Sequence, residues 1–168
     1  FNAATGLLVD AAASPLYTSD VSVAAQLHGH LDEGDILIGD RHFAGYAHVA
    51  LLLQAKSHAL VPNHHLRIVD FSAGRAHTKL SGKNVVAGRP RSRWIKSLGK
   101  EDQLVEWFKP HNKPAWMTQQ QHDALPNSIL VREVRRRVRL PEGRRVEITI
   151  VTTLLDPVLY PAQELIEL

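Results

Sequence analysis

Residues 35–61 constrain the fold most, because a strand, a helix and a second strand follow one another there without interruption. Ile36-Leu37-Ile38 is a continuous apolar run, typical of a central strand buried on both faces. From about Phe43 to Ala55 the side chains are apolar nearly all round, which predicts a largely buried helix. His58 to Val61 predicts another strand, which Pro62 ends. Such a unit forms a parallel strand pair with a right-handed crossover, so an α/β fold is predicted.

The flanking segments predict shorter elements, and residues 72–100 show little periodicity. The segments predicted as strands are Phe1–Ala3, Leu7–Ala12, Leu104–Phe108, Ile129–Leu140 and Arg145–Thr153, the last two forming a long hairpin around Pro141-Glu142-Gly143. The segments predicted as helices are one after Thr18-Ser19-Asp20, a short turn over Thr118–Ala124 and a closing helix with Pro161 and Leu165.

Charge is distributed unevenly along the chain, although the net charge is only +3. Residues 1–60 hold six acidic and two basic side chains, residues 61–155 hold eighteen basic and eight acidic ones, and residues 156–168 hold three acidic ones. The basic middle predicts either a surface that faces a polyanion or an ordinary solvated surface, and charge alone does not decide between them.

Composition excludes several kinds of site and partner. The absence of cysteine rules out disulfides, thiolate zinc sites and cysteine nucleophiles, and it fits a reducing cytosol. The ten histidines lack a zinc-like ligand pattern. The longest apolar runs, such as Ala47–Leu53, are too short to cross a bilayer, so no membrane partner is expected.

Asp40 is the most informative acidic residue, because it follows a predicted strand and precedes a helix. Open α/β sheets bind ligands at the carboxyl ends of their strands. A carboxylate there can hold Mg²⁺, which prefers hard oxygen ligands. An Asp at a strand end is also a common helix N-cap, and position alone leaves both interpretations open.

The residues around Asp40 resemble a family motif. Gly34–Ala47 is similar to the second catalytic-aspartate motif of DDE transposases of bacterial insertion sequences: an apolar strand, Asp-Arg, a small residue, Phe, and a Tyr three residues on. His42 stands where the family commonly has Gly. Further landmarks follow in family order, namely Phe1–Asp10, Asp70-Phe71, Leu98-Gly99-Lys100, Asp102–Trp107, Lys109-Pro110, Val151–Asp156 and Tyr160-Pro161.

The resemblance implies a partial RNase H-like core over residues 1–62, a basic β-rich insertion over 63–155, and the start of a returning core helix over 156–168. It implies that Asp40 is the second of three carboxylates that bind Mg²⁺. The first Asp is expected before Phe1 and the Glu after Leu168, so the chain is expected to be an internal fragment that is inactive alone.

The intact enzyme is then expected to cleave double-stranded transposon DNA, to join it to target DNA and to form a homo-oligomer. The expected location is the bacterial cytoplasm, in association with the nucleoid. Two alternatives are a non-catalytic DNA-binding remnant and another RNase H-like nuclease. The long basic insertion argues against the second alternative.

Three groups of basic residues are candidates for binding DNA. Arg41 either contacts phosphate or forms a salt bridge across the strand–helix turn. A second group, interleaved with Trp94, either meets DNA or belongs to a solvated loop; it comprises Arg89, Arg91, Arg93 and Lys96. A third group shares one face of the predicted hairpin and either binds phosphate or pairs with Glu147 across the strands; it comprises Arg135, Arg137 and Arg139. Trp107 and Trp116 are expected to pack the insertion.

Overall fold

A computed structural model describes residues 2–78, 88–139 and 142–167. It is a mixed α/β structure with one six-stranded sheet, four α-helices and two short 3-10 helices in the described residues. The strands are β1 Ile36–Ile38, β2 His58–Pro62, β3 Arg93–Gly99, β4 Asp102–Phe108, β5 Ser128–Arg139 and β6 Arg145–Thr152. The α-helices are α1 Asp20–Leu27, α2 Tyr46–Gln54, α3 Gln119–Ala124 and α4 Glu164–Glu167, and the 3-10 helices are His28–His30 and Arg41–Phe43.

The predicted strand–helix–strand unit is confirmed. β1 and β2 pair in parallel, and α2 connects them. All other strand pairs are antiparallel, and the sheet order is β1-β2-β6-β5-β4-β3. Because β6 pairs directly with β2, the predicted hairpin continues the sheet that the parallel unit begins.

The prediction that Ile36–Ile38 is a central strand is wrong. β1 is the edge of the sheet, and the side chains of Ile36 and Ile38 are 39% and 51% exposed. The predicted strand Leu7–Ala12 is also absent, as is the described part of Phe1–Ala3; Phe1 itself lies outside the described residues. Leu7 and Leu8 are mostly exposed, so the apolar side chains that suggested a strand do not pack into a core here.

Strand β3 was not predicted, and its geometry explains why. The pairing of β3 with β4 is irregular between Trp94 and Lys96 and again between Ser97 and Gly99. Each irregularity shifts the register, and the alternation of side chains that marks a strand in a sequence is then lost. The hairpin strands and the turn at Thr118–Ala124 are confirmed, while Leu140 and Pro141 lie outside the described residues.

The sheet has a hydrophobic cluster on each face. On one face α2 packs against residues of β4, β5 and β6, among them Trp107, Val131 and Val151. On the other face Leu165 of α4 joins Leu60 and its neighbours. Trp107 is 1% exposed, which confirms its predicted packing role. None of the helices in the described part of the chain has the length and apolar character needed to cross a bilayer.

A buried ion pair fastens the second face. Arg132 of β5 donates from Nε and Nη2 to the two carboxylate oxygens of Asp102, at 2.8 and 2.6 Å. Its Nη1 also donates to the backbone oxygen of Tyr160 at 2.7 Å. The two-pronged pairing fixes the register of β4 against β5 and holds the segment before α4 on the sheet.

Candidate nucleic-acid interface

Asp40 lies just after β1, at the carboxyl end of the parallel pair, and caps the 3-10 helix Arg41–Phe43. Its Oδ1 accepts hydrogen bonds from the backbone N–H of His42 at 3.0 Å and from His42 Nδ1 at 2.5 Å. These bonds, the backbone one foremost, lower the pKa of the Asp40 carboxyl group below its usual value. The N-cap interpretation is therefore confirmed, and the side chain remains exposed.

Further polar side chains follow the carboxyl end of β2 and lie near Asp40, at the same end of the parallel strands. His64 and His65 follow β2, with their rings stacked 4.4 Å apart, and the His64 ring lies 6.0 Å from that of His42. Partial burial and the neighbouring His65, His42, Arg67 and Arg41 lower the pKa of His64. Arg41 and Arg67 thus place positive charge close to His64, which favours an anion.

The described residues do not make a complete magnesium site. Asp40 offers carboxylate oxygens of the right chemistry, with Oδ1 already engaged by His42. In residues 2–78, 88–139 and 142–167, no three His, Cys, Asp or Glu side chains group closely enough to hold a metal ion. Asp40 could therefore supply one ligand of a set, and no chemical step can be assigned to a metal here.

A cleft of about 480 Å³ opens beside this edge, which we call the arginine cleft. Three of its lining residues are Arg67, Arg89 and Arg91, and two more are His42 and His64. The other lining residues are small, apolar or hydroxylated, and none of the described lining residues is acidic. The shape and charge suit phosphate oxygens, because guanidinium groups match phosphate geometry.

The predicted basic group around Trp94 divides between different environments. Arg89 and Arg91 line the arginine cleft. Arg93 instead pairs with Glu106 across β3 and β4, and its guanidinium lies 5.9 Å from the centre of the Phe108 ring. Lys96 is exposed on the outer strand β3, which lies at the far edge of the sheet from β1 and Asp40.

The predicted arginine face of the hairpin forms a projecting arm. Beyond Arg135 and Thr149, β5 and β6 are paired only with each other among the described strands. The arm extends past the carboxyl end of β2. It therefore lies at the same end of the strands as Asp40, which follows β1.

The alternative of cross-strand pairing in the arm is confirmed for two of the three arginines. Arg135 Nε lies 3.4 Å and Arg137 Nε 3.6 Å from carboxylate oxygens of Glu147. Arg139 is exposed at the end of the arm, opposite Arg145 in register. One acidic residue thus serves two arginines, and the face keeps a positive balance.

Arg67 and Glu133 are the main residues that the sequence analysis missed. The Arg67 guanidinium lies 3.5 Å from the centre of the Trp107 ring, and burial lowers its pKa to about 10. Glu133 is fully buried near Arg67 and Trp107, and burial raises the pKa of that carboxyl group. Alternation along β5 puts Glu133 on the same face as Arg135, but no sequence signal shows that Arg67, from the loop after β2, packs on the Trp107 ring near it.

No family model matches the chain, and no match was found among curated proteins or solved structures. The residues themselves are therefore the evidence for function. The most informative of these are Asp40, the arginine cleft and the hairpin arm, which share one side of the sheet.

Proposed function

We propose that this chain is part of a DDE-type DNA transposase with an RNase H-like core, and that it binds the phosphate backbone of DNA at the arginine cleft. One observation carries the proposal. Asp40, which the motif resemblance identifies as a catalytic carboxylate, lies at the same strand ends as the arginine cleft, and its hydrogen-bond partner His42 lines that cleft. A phosphate held in the cleft would bring the DNA backbone next to the carboxylate.

Charge and shape support DNA as the partner. The cleft presents three guanidinium groups, and the arm extends a second row of arginines on the same side of the sheet. Each phosphate neutralised by a basic side chain releases counterions, and the logarithm of the binding constant then falls with the logarithm of salt concentration by roughly 0.9 per contact. Binding by this surface is therefore expected to be sequence-tolerant and strongly dependent on salt.

The DNA interaction is tested by fluorescence anisotropy of a labelled duplex at several KCl concentrations. The double variant Arg89→Gln/Arg91→Gln is expected to bind more weakly and to reduce the salt slope by roughly 2. Lys56→Gln removes one charge at the amino end of β2, away from the cleft, and is expected to leave the slope unchanged. An affinity for DNA that stays constant from low to high salt would refute the cleft as the contact surface.

The catalytic part of the proposal concerns the intact enzyme. The two other carboxylates that the resemblance requires belong to motifs that this sequence does not contain. The chain alone is therefore expected to leave a labelled duplex uncut in the presence of Mg²⁺. Cleavage by the wild-type chain that Asp40→Ala abolishes would mean that other residues complete the metal site.

A non-catalytic DNA-binding protein is the second candidate, because Asp40 already has a structural role as an N-cap. Paramagnetic Mn²⁺ distinguishes the two, since it broadens NMR signals even when it binds weakly. A carboxylate of the transposase type predicts broadening at Gly39–His42 that Asp40→Asn removes. A protein that only binds DNA predicts no difference between wild type and Asp40→Asn.

A further inference from the structure

Arg67 stands in a wall shared by two cavities. One is the arginine cleft, and the other is a smaller cavity of about 210 Å³. Arg91 lies in the same shared wall; burial is the main cause of the lowered pKa of Arg67, and the charge of Arg91 adds to it. Two like charges held together at a cavity wall repel each other, and a bound anion would relieve that repulsion.

The guanidinium of Arg67 packs on an aromatic ring that is itself held by a hydrogen bond. Its plane lies against the ring of Trp107, whose indole N–H donates to Glu133 Oε1 at 3.4 Å. Gln103 Nε2 donates to the other oxygen of Glu133 at 2.8 Å. The ring contact therefore fixes the orientation of Arg67 before any ligand arrives, and Glu133 holds the ring in place.

Arg67 nevertheless keeps hydrogen-bonding capacity. Its Nε finds no hydrogen-bond acceptor among the described residues, although the atom is buried. A buried donor without an acceptor costs free energy, and a phosphate oxygen is the acceptor that best matches a guanidinium. Arg75, the other arginine near Glu133, is by contrast satisfied by Asp70 and Ser92.

We propose that Arg67 is the principal phosphate-binding residue of the arginine cleft, with Trp107, itself hydrogen-bonded to Glu133, as the platform that orients it. The proposal deepens the function proposed above and rests on it for the identity of the natural ligand, a phosphodiester of DNA. The same chemistry would accept free phosphate. We call Arg67 on this platform the seat. Phosphate binding at the seat requires the planar guanidinium of Arg67 and not only a positive charge.

The first experiment tests the seat without DNA. Inorganic phosphate is titrated into the ¹⁵N-labelled chain in chloride buffer, and the guanidinium Nε–H signal that is missing from Arg67→Lys is followed by NMR. Wild type is expected to show a saturable shift of that signal. Arg67→Gln removes one of the two arginines near the buried Glu133 and can unfold, so Arg67→Lys is the decisive variant. Its phosphate affinity is followed by ³¹P line width.

Arg67→Lys keeps the charge but loses the fork and the ring contact, so phosphate is expected to bind about tenfold more weakly. Lys56→Gln is the matched control and is expected to bind as wild type does. Equal phosphate affinity of wild type and Arg67→Lys would overturn the proposal. So would a wild-type chain whose Arg67 signal does not respond to phosphate.

The second experiment repeats the comparison with a labelled DNA duplex, which separates the two proposals. If wild type binds phosphate at Arg67 but does not bind the duplex, the seat stands for free phosphate and the DNA function fails. If wild type binds the duplex and Arg67→Lys weakens that binding while Lys56→Gln does not, both stand. If wild type and Arg67→Lys bind the duplex equally, the DNA function stands and the role of Arg67 is refuted.

Discussion

Replacing Asp102 by Asn should lower the free energy of unfolding more than the removal of any exposed charge does. The carboxylate is 4% exposed and receives both prongs of the Arg132 guanidinium, which is 0% exposed. Asn keeps one acceptor oxygen but removes the counter-charge, and it turns an amide N–H₂ group toward a buried cation. Breaking a buried pair from one side costs about 3–5 kcal/mol.

That free energy converts into a measurable melting shift. The entropy of unfolding is roughly 2.1 cal/mol/K per residue, or roughly 0.35 kcal/mol/K for this chain, so the melting temperature should fall by about 9–14 °C. Differential scanning calorimetry and urea unfolding at pH 7 measure the loss. Arg132 keeps its bond to the backbone of Tyr160, which favours the lower half of the range.

Glu33→Gln is the control, because Glu33 pairs with Lys56 at the surface and such pairs contribute about 0–1 kcal/mol. The double change Asp102→Leu/Arg132→Met should recover most of the loss, since it removes both buried charges. If Asp102→Asn lowers stability no more than Glu33→Gln does, the pair does not support the second face of the sheet as argued.

Three further predictions concern buried groups and one glycine. Burial foremost, and the neighbouring His48 second, lower the pKa of His28 from 6.5 to about 4, so stability should decline as pH falls from 6.5 toward 4. His28→Gln should flatten that part of a plot of melting temperature against pH. An unchanged slope in His28→Gln would contradict this expectation. Burial raises the pKa of Glu133, so the contribution of Glu133 to stability is lost as pH rises through the folded-state pKa. In urea unfolding at pH 5 and pH 8, the stability of Glu133→Gln relative to wild type should be higher at pH 8. A higher relative stability at pH 5 would contradict this expectation. A Cβ at Gly39 would lie 2.9 Å from the Phe43 ring, so Gly39→Ala should cost about 1–2 kcal/mol in urea unfolding, and a neutral result would mean that the ring moves freely.

The local elements were predictable where one periodicity dominated. The parallel unit over residues 35–61 combined an apolar strand, an apolar helix and a stop at Pro62, and each signal agreed with the others. The hairpin strands alternated, and Thr118 with Gln121 supplied a capping box for α3. These signals arise within a few residues of one another, so a sequence displays them directly.

The arrangement of those elements was less accessible. An apolar run such as Ile36-Leu37-Ile38 is compatible with a central or an edge strand, because only the pairing partner distinguishes them. Glu133 and Asp102 are acidic residues that no local sequence signal marks as buried, yet both are buried in the structure. Burial of a charged side chain depends on its partners, and Arg67 and Arg132 lie thirty or more residues from Glu133 and Asp102.

The candidate site was predicted in part for the same reason. Asp40 was a candidate from its position and the motif resemblance, and Arg89 and Arg91 were candidates from residue type and spacing; the structure brings Arg89 and Arg91 into one cleft beside the Asp40–His42 pair. Arg67 was missed because its sequence neighbours carry no pattern. Its proposed role in phosphate binding rests on its contact with the Trp107 ring, which β4 supplies forty residues later.

The most direct test of the account is to map where DNA contacts the chain. Backbone amide shifts of the ¹⁵N-labelled protein are followed by NMR while a short duplex is added at low salt. We expect the largest shifts at residues 39–42, 64–67 and 88–91, with a second set along the hairpin arm. Shifts confined to α1, α3 or the outer strand β3, with the arginine cleft unaffected, would contradict it.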